Sequence, residues 1–396
     1  MRNPLNFVVL TYKTSKVMIP FSRSSFLLFL SISLLGLSAC QDDPGTPGEC
    51  NNCPAEQPIN ASYDPTPYEF DLPERFPNPI IPPDNPMTEE GIALGRMLFY
   101  DPILSSDSTM SCASCHNQQL SFTDGAATSV GVLGMNGRRS AMPLINLAFN
   151  PNGFFWDGRA ATLEEQALVP IEDHLELNDS WENVENKLRN HPQYPRRFRQ
   201  AFGVEYASEI TRDLAVKAIA QFERTLISYQ SRFDKVVWEQ QGWPTELEQE
   251  GRDLFFIETA EQTDAHPGCS HCHGSPLFTE NNFSNNGIED VEDLNGFSDK
   301  GLGEVTGVVQ HNGEFRAPTL RNIALTAPYM HDGRFETLEE VLDHYASGGH
   351  GVANQDANIQ AFTLTEHQKE AMIAFLEMLT DTTFTNNPAF QNPFEN

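Results

Sequence analysis

Two short segments, Cys112-Ala113-Ser114-Cys115-His116 and Cys269-Ser270-His271-Cys272-His273, share one pattern: paired thiols with an imidazole directly after the second. With 7 Cys and 11 His in 396 residues, chance supplies on the order of 0.004 such matches, so the pair is not accidental. This spacing puts both thiols and the His on one helical turn, where the thiols can bond to the vinyl groups of a haem and the imidazole can ligate its iron. Zinc sites and redox dithiols also use cysteine pairs, but neither explains a His immediately after both. The chain is therefore expected to fold around two covalent c-type haems.

The halves resemble each other beyond these motifs. Gly95-Arg96-Met97-Leu98-Phe99-Tyr100 precedes Cys112 much as Gly251-Arg252-Asp253-Leu254-Phe255-Phe256 precedes Cys269, and each reads as a helix. Downstream, the run Trp156-Asp157-Gly158-Arg159 through Gln166 aligns with His331-Asp332-Gly333-Arg334 through Val341. In both, a Thr followed three positions later by Glu marks a helix start. The fold class is thus read as all-α: two tandem cytochrome c-like domains, residues 68–240 and 241–385, each with one covalently bound haem, and a tail over 386–396. Asp213 to Trp238 reads as one long connecting helical run. Thr365 to Thr380 reads as a closing helix with Ala371, Phe375, Met378 and Leu379 on one face, and the residues after Asp381 read as frayed.

Placing the repeats in register separates the two haems. Leu338, Val341, Leu342 and Tyr345 form one apolar helical stripe that would face the second haem, with Tyr345 at its end as the candidate second iron ligand. Met330 and His344 are the alternatives: Met330 precedes the turn, and His344 lies about 100° off the apolar face. The first-repeat residue at the same offset from the Asp of the Asp-Gly-Arg turn is Pro170, which cannot bind iron. One haem is expected capped and the other open. Beside the open position stand Gln166, on the face of Leu163 and Pro170, and Glu176 a short loop later. An amide and a carboxylate there suit peroxide cleavage, which requires moving a proton from one oxygen to the other. Glu176 lies in the run Glu172-Asp173-His174-Leu175-Glu176, however, which also reads as a solvated acidic loop. Trp156 reads both as a core aromatic and as an electron relay between the haems.

On these residues the chain resembles the bacterial di-haem cytochrome c peroxidase and MauG family. The likeness spans about residues 68 to 385 and is carried by the two haem motifs, Phe155-Trp156-Asp157-Gly158-Arg159 and Tyr329-Met330-His331-Asp332-Gly333. It implies that Cys112, Cys115 and proximal His116 hold the peroxidatic haem, and that Cys269, Cys272 and His273 hold the haem that receives electrons. The family's distal Gln and Glu fall on Gln166 and Glu176, and its inter-haem Trp on Trp156. Family peroxidases carry Met where Tyr345 stands, whereas MauG carries Tyr; anionic ligation lowers a haem potential. Many members have a blocking His in the loop after the first motif. The loop from Asn117 to Arg139 has none, which implies a five-coordinate first haem without reductive activation. The family's calcium position maps to the carbonyls of Thr326 and Pro328, with Ser140, a poorer oxygen ligand, in place of Asn. Hydrogen peroxide is the implied substrate, with a small c-type cytochrome or copper protein as electron donor. Two other readings stay open: MauG-like oxidation of Trp or Tyr on a partner protein, and a non-catalytic electron carrier, which would need two capped haems.

The N-terminus addresses the chain for export. Arg2, Lys13, Lys16 and Arg23 precede an apolar run from Phe26 to Leu37 and then Leu37-Ser38-Ala39-Cys40. Residues 1–39 read as a signal peptide and Cys40 as a lipidation site. Residues 40–67, rich in Asp, Pro, Gly and Asn, read as a flexible tether. Within it Cys50 and Cys53 are followed by Pro54 rather than His, so they read as a local disulfide or an idle pair. The expected location is the periplasm or cell envelope, with the membrane met by the lipid anchor only. A net charge of −30 excludes nucleic acid as a partner.

Overall fold

Helix α1 (Glu89–Tyr100) sets the architecture. Thr88 caps it, its hydroxyl accepting from Gly91 N, and Glu89 and Glu90 occupy the first turn, where negative charge suits the helix dipole. Its buried face, including Leu94, Leu98 and Phe99, packs on α5 (Arg212–Thr225). The approach is close enough that a Cβ on Gly95 would collide with the Ala218 carbonyl of α5. The second half repeats this pair. Helix α6 (Glu246–Phe255) packs on α9 (Glu366–Met378), and Gly251 meets the Ala371 carbonyl as Gly95 meets that of Ala218.

The structure, a computed structural model, describes residues 56–257 and 267–395; the leader, Cys40, Cys50 and Cys53 lie outside them. Helix α2 (Leu163–Glu172) follows the first Asp-Gly-Arg turn and α8 (Leu338–Ser347) the second. The expected caps form at both: Thr162 accepts from Glu165 N, and Thr337 makes a reciprocal capping box with Glu340. Between α2 and α5 the first half inserts α3 (Trp181–Asn190) and α4 (Tyr194–Phe202), which bury Trp181, Leu188, Tyr194 and Phe198 in the α1/α5 core. The second half carries α7 (Leu302–Thr306) and, in departure from a purely helical chain, a two-stranded ribbon of β1 (Phe283–Ser284) and β2 (Phe315–Arg316). Helix α10 (Thr382–Thr385) ends the series.

Three expectations need correction. The run from Asp213 to Trp238 is not one helix: α5 ends at Thr225, and only Asp234–Trp238 returns to a helical turn. The intervening backbone is bonded elsewhere, Ser228 N to Asn146 Oδ1 and Gln230 N to Asp381 Oδ2, so its polar groups have no need of helix. The residues after Asp381 are not frayed. Phe384 and Phe390 are buried with Phe122, and Arg96 and Tyr100 of α1 donate to the carbonyls of Ala389 and Phe390 at 2.8 and 2.6 Å. The C-terminal end of the tether is also held. Ser208 Oγ donates to Glu56 at 2.6 Å, Ile59 N to Glu205 O at 2.9 Å, and Thr66 N to Glu90 at 2.8 Å.

Candidate active site

Each Cys-x-x-Cys-His segment forms a short 3-10 turn after the α1 or α6 helix, and the His backbone N–H closes it by donating to the first Cys carbonyl at 3.0 Å. His116 Nδ1 lies 2.7 Å from Phe122 O and His273 Nδ1 lies 3.2 Å from Phe278 O. These contacts hold the ring proton on Nδ1 and leave Nε2 with its lone pair, the arrangement of a metal-ligating imidazole. Both Phe residues sit at positive φ, 61° and 54°, a costly conformation that aims the two carbonyls at the rings. Burial lowers the pKa of both imidazoles, that of His273 to about 4, so both are neutral and ready to bind metal. Burial likewise pushes up the four thiols, Cys269 to about 12, and none of the four is in a disulfide.

Two cavities open beside these turns. The first, about 870 Å³, is lined by Cys115, His116, Gln166, Pro170 and Glu176. The second, about 200 Å³ and more apolar, is lined by Cys269, Cys272, His273, Leu338, Val341, Leu342 and Tyr345. Two thiols and an imidazole line the second cavity, a donor set that fits a flat apolar macrocycle, while Cys115 and His116 line the first, with Cys112 on the same short turn.

Residues that the sequence register singles out meet at the first cavity. Leu163, Gln166 and Pro170 share the cavity-facing side of α2. Glu176 follows in a tight loop: Leu175 N is held by Asp173 Oδ1 at 2.8 Å, Leu177 N by Pro170 O at 3.2 Å, and Val132 N donates to Glu176 O at 2.8 Å. Glu176 is not a solvated acid. Burial, reinforced by Asp173 and opposed by Arg159, pushes its carboxyl up to about 7. The loop from Asn117 to Arg139 contributes Ser129, Gly131, Gly137, Arg138 and Arg139 to the lining.

In the second cavity Tyr345 stands where Pro170 stands in the first. Its phenol is pushed up to about 12 by burial, with the Asn286 side chain pulling the other way. Met330 also lines this cavity, but its thioether accepts from Asn286 Nδ2 at 3.5 Å. His344 points elsewhere, its Nε2 3.0 Å from Asn286 O. The calcium trio converges less well. Thr326, Pro328 and Ser140 line the second cavity, yet Ser140 Oγ already donates to Met330 O at 2.9 Å. Among the described residues no group of three or more His, Cys, Asp or Glu could hold a metal ion.

Trp156 lines both cavities, and its Nε1 donates to Ser140 O at 3.0 Å. Its counterpart in the second repeat, His331, also lines both and stacks on Phe315 with centroids 3.7 Å apart. Sequence reasoning singled out Ser140 only as a calcium candidate, and missed Arg316 in this shared wall altogether. Arg316 lines both cavities, as does Ser140, and the two are equivalent: each precedes an Ala-x-x-Leu-x-Asn run, Ala141 to Asn146 and Ala317 to Asn322. That repeat was the available signal. Asn286, which holds Met330, Tyr345 and His344, had none, because its partners lie far along the chain, Met330 44 and His344 58 residues away.

The chain is also similar to known proteins. Residues 89–242 match the family model described as di-haem cytochrome c peroxidase. The chain is 36% identical to the methylamine utilization protein MauG of Methylorubrum extorquens, over 78% of this chain and 83% of that protein. It is 35% identical to the cytochrome c551 peroxidase of Nitrosomonas europaea, over 80% and 86%. A crystal structure of a MauG-like protein associated with microbial copper homeostasis superposes with a TM-score of 0.76 at 35% identity, covering 82% of this chain and 99% of that one. The chain belongs to the di-haem cytochrome c peroxidase and MauG family.

Proposed function

We propose that the protein is a di-haem peroxidase that reduces hydrogen peroxide to two waters with two electrons and two protons, the electrons coming from a small c-type cytochrome or copper protein. The observation that carries this reading is the asymmetry at one helical position: Pro170 with Gln166 and Glu176 beside the first cavity, Tyr345 in the second. The bound haems would supply electrons and an iron atom for peroxide. Glu176, with a pKa near 7, can accept the proton of one peroxide oxygen and return it to the other, a role that typically contributes 10²–10⁴-fold. Gln166 offers an amide N–H to orient the substrate. Trp156 bridges the two cavities as the relay.

In this reading Cys112, Cys115 and His116 would hold the first haem, the thiols as thioethers. Cys269, Cys272 and His273 would hold the second, with Tyr345 available to its iron. The domains run over 68–240 and 241–385, one haem each. A calcium ion would rest on the carbonyls of Thr326 and Pro328, because the Ser140 hydroxyl is already engaged. Residues 1–39 direct export and Cys40 anchors the protein by lipid to the cell envelope. No described helix is long and apolar enough to cross a membrane.

Tyr345 favours a second reading, in which the peroxide-oxidised protein withdraws electrons from Trp or Tyr of a partner protein. Mixing the haem-loaded protein with peroxide, with and without a reduced small cytochrome, separates the two. Fast donor-dependent consumption supports the peroxidase. A long-lived oxidised state of the protein quenched only by a specific protein supports the alternative. Peroxide left intact in both arms would reduce the molecule to an electron carrier.

A further inference from the structure

Among the described residues, buried arginines come with carboxylates, with one exception. Arg321 binds Asp234 at 2.8 and 3.0 Å and Arg224 binds Glu164 at 2.7 Å, and even the half-buried Arg139 binds Asp157 and Asp299 at 2.6 and 2.7 Å. Arg316 is only 6% exposed and forms no ion pair among the described residues. Its Nη1 donates to Asn281 Oδ1 at 2.9 Å, its Nε to Phe155 O at 3.4 Å and its Nη2 to Met142 Sδ at 3.5 Å, all neutral acceptors. Burial alone pulls its pKa down to about 10, with no acid opposing it. A guanidinium withdrawn from water without counter-charge is among the costliest arrangements a protein can hold.

The backbone holds this charge in place. Residue 316 lies on β2, paired with Phe283, and its N–H donates to Trp156 O at 2.8 Å, so the second repeat's residue is pinned to the first repeat's relay. Arg316 lines both cavities. Its first-repeat equivalent is the uncharged Ser140, so the shared wall receives this charge once.

We infer that Arg316 is the counter-ion for carboxylates that the cofactors themselves carry into the cavities, and that this one guanidinium serves both redox centres. The inference rests on both cavities holding haem, whose edge bears two propionates. The planar fork of Arg can engage two carboxylates from different directions. A fixed positive charge favours the added electron at each centre, so its removal disfavours reduction at both.

The test uses the haem-loaded protein and the variants Arg316→Gln and Arg316→Lys. Haem content is measured first, then the midpoint potentials of both centres by optical redox titration. Lower potentials at both centres in Arg316→Gln, with a smaller shift in Arg316→Lys, are expected. Unchanged potentials, or a shift at one centre only, would overturn the inference. If Arg316→Gln does not accumulate with two haems, the wild type decides. Its resonance Raman propionate bands should stay constant as pH falls through the range where an exposed propionate titrates, and titration at either centre counts against the pairing. Added chloride should leave both potentials in place; a chloride-dependent shift would assign the site to a free anion instead. Peroxide consumption by the wild type, followed in parallel, distinguishes failure of this inference from failure of the functional reading.

Discussion

The two repeats use one scaffold for opposite ends. Each pairs a helix carrying Gly-Arg-x-Leu-Phe with a partner helix through a glycine contact, Gly95 on Ala218 and Gly251 on Ala371. Each aims its imidazole with a Phe carbonyl held at positive φ, and each starts its distal helix at a capped Thr. They diverge where the distal helix faces the cavity: Pro170 and a cavity of about 870 Å³ in the first, Tyr345 and about 200 Å³ in the second. On the function proposed above, backbone geometry makes a cofactor site, while one side-chain position would decide whether that site reacts or conducts.

The comparison breaks most completely if the first repeat is given the second repeat's residue. Pro170→Tyr should cap the first centre, abolish cyanide binding by the oxidised protein and reduce peroxide turnover by about a thousandfold or more, the scale of lost acid-base chemistry and access together. Pro170→Ala should keep both. Cyanide stoichiometry reads the same asymmetry in reverse. The wild type should bind one cyanide without prior reduction, because no His in the Asn117 to Arg139 loop can block the first centre. Tyr345→Phe should bind two. One equivalent in Tyr345→Phe would mean that Met330, which lines the same cavity, has moved in as ligand.

Glu176→Gln tests the proton step alone. It should cost about 10²–10³ in kcat/KM with haem content and cyanide binding intact. Burial raises the Glu176 pKa from 4.5 to about 7, so below that pH the carboxyl is protonated and cannot accept a proton from peroxide. The wild-type kcat/KM should therefore rise with pH through about 7, and the variant should lack that limb. A pH profile identical in both proteins would remove Glu176 from the chemistry.

Much of this was legible in the chain, for a definite reason. The haem motifs, the Thr-x-x-Glu caps and the stripe from Leu338 to Tyr345 are local patterns whose physics is complete within a few residues. The features that escaped depend on distant partners. Asp213 to Trp238 has helical character, yet the chain leaves the helix after Thr225 because Asn146 and Asp381 offer its backbone other bonds. The tail looked polar and free, but Phe384 and Phe390 find a pocket beside Phe122. Glu176 could not be told from a solvated acid until the loop clamped at Val132 fixed it beside the first cavity. Arg316 carries no local signal of burial, and only the Ala-x-x-Leu-x-Asn repeat that follows it and Ser140 marked its place.

The smallest expected effect is the most discriminating about what the shared scaffold contributes. Thr162→Ala and Thr337→Ala each remove a hydroxyl that caps a distal helix, a loss of about 1 kcal/mol in either repeat. Similar cost should not mean similar consequence. Helix α8 carries Tyr345, the proposed iron ligand, so Thr337→Ala should perturb the second centre's ligand-field bands and leave cyanide binding at the first unchanged. Helix α2 carries Gln166 but no iron ligand, so Thr162→Ala should leave both resting spectra alone and slow peroxide turnover a few-fold through poorer substrate orientation. Resting absorption spectra and stopped-flow rates on the two variants check this directly. If both gave the same spectral change, the distal helices would be equivalent supports, and the difference between the repeats could not reside in the residues at 170 and 345.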